Sequence, residues 1–150
     1  MSHSKIARLI PLVIAAAFYA QLGIMKAGDP PDPAVMEFRL PKDLQWPPLN
    51  GRTSGAQSIT LFCDPTKPGL YGVLTKWLPH SMSRPHTHPN DRYIYVLKGT
   101  WWVGWGEKYD PDSTYPMPAG SYVHHLAKAL HYDGAKDEEC IIYIVGVGPA

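Results

Sequence analysis

From residue 58 onward the chain is cut into short runs of alternating apolar and polar positions, most of them closed by glycine or proline. Ser58-Ile59-Thr60-Leu61-Phe62-Cys63 alternates with the period of two that places successive side chains on opposite faces of a strand. Leu70 to Leu78 predicts a second strand, with Gly72 a candidate bulge. Arg92-Tyr93-Ile94-Tyr95-Val96-Leu97 is β-branched and aromatic, as strands prefer, and Lys98-Gly99 turns it back into Thr100 to Trp105 as a hairpin. Glu107 to Pro118 reads as a polar excursion. Ser121 to Leu126, His131-Tyr132 and Glu139 to Val147 complete the series. Turn signals spaced by about 8–12 residues predict an all-β sandwich or barrel. No long amphipathic helical pattern follows residue 30.

The amino-terminal part is different. Lys5 and Arg8 precede the uncharged apolar stretch Leu9 to Ala20, the layout of a secretory signal. An uncleaved anchor is the alternative, and it is the only membrane contact the sequence suggests. Both place the folded domain outside the cytoplasm, in the periplasm or secreted. The expected division is therefore 1–27 as signal peptide or N-terminal anchor, 28–55 as an extended linker and arm, and 56–150 as the folded domain. Ala34 to Pro48 is expected to lie along that domain and cover apolar surface.

Composition narrows the function. A formal net charge of +1 gives no basic face for nucleic acid. Two cysteines, Cys63 and Cys140, fit an oxidising compartment. They can pair if the first and last strands are neighbours, or both can be free thiols. No Ser-His-Asp arrangement, phosphate loop or dinucleotide fingerprint is present.

The candidate chemistry lies in the histidines. Of seven in the chain, six fall between His80 and His131. His86 and His88 are two apart, so on a strand they share a face and can reach one metal ion at about 2.0–2.1 Å. Arg92 shares their parity. Tyr93, Tyr95, Tyr122 and Arg92 are candidates for orienting a substrate, with Arg92 and Tyr95 placed first as catalytic residues. By parity His124 is a further ligand or a supporting group, and His125 faces outward. His80 lies in a loop facing solvent.

These residues resemble the cupin superfamily, whose first motif runs Gly-x5-His-x-His-x3,4-Glu-x6-Gly. His86-Thr87-His88 occupies the paired positions and Gly99 the closing glycine. A weaker second motif is met by Gly120-Ser121, a strand, and His131 where a third imidazole belongs. The run from His86 to Gly146-Val147-Gly148-Pro149 is similar to small single-domain bacterial cupins. The resemblance implies a β-jelly roll, a double-stranded β-helix barrel, holding one divalent transition metal (Fe, Mn or Zn) through His86, His88 and His131. It also implies a homodimer. The departure is Arg92, which stands at the glutamate position and cannot ligate a metal, having no free lone pair. Three readings follow, in order: the three histidines hold the metal alone; Arg92 binds the carboxylate of an anionic ligand beside it; or the pocket takes an organic ligand without metal. The functional expectation is a metal-dependent enzyme acting on a small organic molecule, as dioxygenase, decarboxylase, isomerase or hydrolase, with oxidoreductase chemistry first. The alternative is a non-catalytic periplasmic protein binding a small ligand or metal.

Overall fold

The computed structural model of the chain describes residues 28–150. The expected signal or anchor at 1–27 lies outside the described residues. The described residues fall into two units, the first ending at Arg39 and the second running from Leu40 to Ala150. In the first, Asp32 closes a turn by accepting from the Ala34 amide at 2.9 Å, and Val35, Met36 and Phe38 are exposed.

In the second unit, Leu40 to Pro48 begins with a 3-10 turn, Pro41–Asp43, and continues toward the first strand. Trp46 lies under the Lys76 ammonium, 4.4 Å from its ring centroid, and Gln57 donates its side-chain amide to the Pro47 carbonyl. This half of the arm does lie on the strands.

Nine strands follow among the described residues: β1 (Ala56–Phe62), β2 (Gly69–Trp77), β3 (Ser81–Met82), β4 (Arg92–Lys98), β5 (Thr100–Trp105), β6 (Tyr115–Pro118), β7 (Tyr122–His125), β8 (His131–Ala135) and β9 (Cys140–Gly148). They form two antiparallel sheets, in the orders β1-β2-β9-β4-β7 and β3-β8-β5-β6. Ile94 pairs with Ile144 and Val96 with Ile142 across β4 and β9. These side chains face the second sheet and bury with Tyr71, Trp101, Val103, Ala135 and Cys140. The alternation in β4 is therefore inward for Arg92, Ile94 and Val96, and outward for Tyr93, Tyr95 and Leu97.

Several expectations change at this level. The irregularity assigned to Gly72 is on β1, where the register shifts between Thr60 and Phe62. Gly72 is small for another reason: a Cβ there would lie 2.2 Å from the Phe62 ring. Gly99 does turn the hairpin, at φ 69°, and a Cβ would come within 2.4 Å of the Glu139 carbonyl oxygen. The excursion 107–118 contains the edge strand β6, whose Pro116 and Pro118 an edge tolerates and a central strand does not. Cys63 and Cys140 are not paired. Both β1 and β9 flank β2 rather than each other, leaving Cys63 exposed and Cys140 buried. Burial pushes the Cys140 thiol up to about 12, so it is not a thiolate at neutral pH.

Candidate metal centre

The histidine pair was expected on a continuous strand. Instead, His86 makes an isolated antiparallel bridge to His131, and His88 lies in the loop before β4. Bridge partners on the same face bring their side chains together. The His86 amide donates to the His131 carbonyl at 2.8 Å, and the reverse bond spans 3.1 Å. His88 is fixed next to them because its carbonyl accepts from the Lys128 amide at 2.7 Å. The loop between His88 and β4 is also tied down. Asn90 donates to the Val147 and Pro149 carbonyls at 2.9 and 3.2 Å. Asp91 accepts from the Ala127 amide at 2.7 Å and lies 3.0 Å from His124 Nε2. These two contacts hold the Asp91 carboxyl below the usual carboxylate range, the Ala127 amide contributing most.

The three rings meet with centroids 4.6 to 5.1 Å apart. Their tautomers follow from their partners. His86 Nδ1 lies 2.8 Å from the Arg84 carbonyl, and His131 Nδ1 lies 2.9 Å from the Ala129 carbonyl. A carbonyl only accepts, so both Nδ1 atoms carry a proton, and in a neutral ring that leaves the lone pair on Nε2. Arg92 Nη1 lies 2.8 Å from His88 Nε2, and a guanidinium only donates, so that Nε2 is an acceptor too. Burial, then the Arg92 charge, holds His88 down at about 3, and burial also lowers His131. Both rings are therefore neutral at physiological pH.

The Nε2 atoms of the three rings thus converge, that of His88 accepting from Arg92. His86 Nε2 and His88 Nε2 are 3.1 Å apart, and the buried Nε2 of His131 has no hydrogen-bond partner. Two nitrogens held about 2.0–2.1 Å from one tetrahedral ion are separated by about 3.3–3.4 Å. The spacing and the orphaned nitrogen fit a divalent transition metal bound by His86, His88 and His131, whose donor atoms all lie within 4.8 Å of one another. The two backbone carbonyls behind His86 and His131 are the outer partners that fix ring orientation at such sites.

A second set shares His131. One ring nitrogen each of His125 and His131 and an Asp133 carboxylate oxygen also lie within 4.8 Å of one another. The parity assignment of His124 and His125 is reversed here. Across β4 and β7, Arg92 pairs with His125 and Tyr93 with His124. Arg92 faces inward, so His125 does too, and its ring stands 3.9 Å from that of His131. His124 faces outward and stacks on Tyr93 at 4.7 Å. Asp133, which the sequence pattern did not single out, lies in the buried strand β8. Burial pushes its carboxyl up, and the Trp101 indole N–H, donating at 3.2 Å, favours its ionised form. Its 3.8 Å approach to His131 Nε2 is not an ion pair, because that nitrogen carries no proton.

Arg92 joins the cluster as expected. Tyr95 does not. It is half exposed on the outer face of β4, with Tyr122 at 5.2 Å. Tyr122 lies on the same outer face, and His80 is exposed.

Two antiparallel sheets closing over an internal histidine triad define a cupin domain. A family description of the ChrR cupin-like domain matches residues 36–150. The chain belongs to that family. No curated protein matches it. Solved structures share the fold at low identity. KdgF from Halomonas sp. is 17% identical with a TM-score of 0.57, over 74% of this chain and 94% of that one. The polyketide cyclase RemF from Streptomyces resistomycificus is 17% identical with a TM-score of 0.59, over 75% and 79%. An RmlC-like cupin from Shewanella frigidimarina NCIMB 400 is 16% identical with a TM-score of 0.57, over 77% and 92%.

Proposed function

We propose that this domain holds one divalent transition metal through His86, His88 and His131 and uses it on a small organic molecule that carries an anionic group. The observation that carries the reading is the convergence of three Nε2 lone pairs whose tautomers are set by their partners, one of them buried without a partner. A metal bound there acts as a Lewis acid, polarising a carbonyl or activating water or dioxygen. Arg92 replaces a carboxylate ligand with a cation, and its fork suits the carboxylate of a bound molecule. Trp101, Ile94 and Ile144 form the buried apolar layer that keeps the inner face dry. Oxidoreductase chemistry is the first reaction class to test. RemF, a polyketide cyclase, shares the fold, and that alone does not choose a reaction. The lost carboxylate ligand favours a second reading, a non-catalytic binding protein, which stoichiometric ligand capture without product would support.

Elemental analysis of the purified protein, after loading with iron, manganese or zinc and removal of excess, tests the metal. About one metal ion per chain is expected. Less than a tenth of that with every metal would overturn the reading.

A further inference from the structure

Arg92 stands in two places at once. Its Nη1 donates to His88 Nε2 at 2.8 Å, using the lone pair that the metal also needs. One lone pair cannot serve both, and a guanidinium beside a dication is repelled. Arg92 must therefore release His88 before all three imidazoles close on a metal.

Arg92 also lines a cavity of about 270 Å³ on the inner face of the five-stranded sheet. Its walls include Tyr71, Val73 and Ile144, with Ser58 and Thr60 toward the β1 edge and Pro65, Thr66 and Ala150 completing the lining. Among the described residues lining it, Arg92 is the one charged side chain. A pocket of aliphatic, aromatic and hydroxyl-bearing walls with a single guanidinium suits a small monocarboxylate with a compact hydrocarbon body, since a carboxylate offers the fork a bidentate partner that His88 does not. The molecule fits a cavity of a size that Arg92 already borders.

We infer that the metal and a small hydrocarbon carboxylate bind this site as a coupled pair, the carboxylate in the Tyr71–Val73–Ile144 pocket drawing Arg92 off His88. This rests on the metal reading above and deepens it. The carboxylate frees the His88 lone pair and neutralises the cation beside the metal. Coupling is reciprocal, so the metal must tighten carboxylate binding by the same factor.

The test measures zinc affinity by competition with a chromophoric chelator, with and without saturating benzoate, and with benzamide as the neutral isostere. Benzoate is expected to tighten zinc binding by roughly 5–150-fold, the usual range of coupling between sites, and benzamide to leave it unchanged. In Arg92→Met the His88 lone pair is free from the start. Zinc should bind that variant more tightly than wild type without benzoate, and benzoate should add nothing. Arg92→Gln, which keeps a polar side chain, is a second variant should Arg92→Met fold poorly by circular dichroism. Zinc affinity that is lost in His86→Ala yet indifferent to benzoate in wild type would overturn the coupling and leave the metal reading standing. Equal benzoate effects in wild type and both variants would overturn it as well. No zinc binding in any form would overturn both.

Discussion

His131→Ala is expected to weaken metal binding by more than about 100-fold while the domain stays folded. Loss of an outer partner at a metal site costs roughly 10–100-fold, and loss of a ligand should exceed that. His131 is the residue common to both donor sets, so no rearrangement within the cluster replaces it. The fold survives because the bridge to His86 is made by backbone groups, which alanine keeps. The space left by the ring is bordered by His86, His88 and His125, polar enough for water to enter. His124→Ala is the matched control. That ring lies on the outer face against Tyr93 and should leave metal affinity within error of wild type. Competition titration with a chelator reads both. Wild-type affinity in His131→Ala would mean that the histidine cluster is a packed core and not a site.

Trp101→Ala should destabilise the domain by about 3–5 kcal/mol, the range for an aromatic truncated in a close-packed core. Trp101 is 1% exposed and sits where the two sheets meet. The indole also donates to Asp133 Oδ1 at 3.2 Å. Removing it leaves a buried carboxylate without that donor, a further cost of about 1–3 kcal/mol. Domains of this kind are stable by only about 5–15 kcal/mol, so the variant should lie near the edge of folding. Trp101→Phe keeps most of the packing and loses the N–H, and should fall between the two. Urea unfolding followed by tryptophan fluorescence or circular dichroism gives the values. A loss below about 1 kcal/mol in Trp101→Ala would contradict the assignment of Trp101 to the core.

What the sequence made legible was local. The period of two located β1, β2, β4, β5 and β9 within a residue or two, because each is half buried and its apolar side shows. His86, His88 and His131 were legible from their spacing and from the resemblance it carries, and the structure brings them together. What stayed hidden depended on pairing between distant segments. Which of His124 and His125 faces inward is decided by the register of β7 on β4, and residue parity within one strand does not contain that register. Cys63 and Cys140 looked able to pair until β2 proved to lie between their strands. Asp133-Gly134 and the prolines of β6 carry turn signals, and tertiary contacts override both. Tyr95 is the instructive case. Its parity opposite to Arg92 places it on the outer face.

The most direct measurement is an anomalous difference map from a crystal of the metal-loaded protein, collected at that metal's absorption edge. The account predicts one strong peak per chain, within bonding distance of Nε2 of His86, His88 and His131, with Arg92 no longer on His88. A loaded crystal with no peak among these three nitrogens, or with its peak elsewhere in the chain, would contradict it.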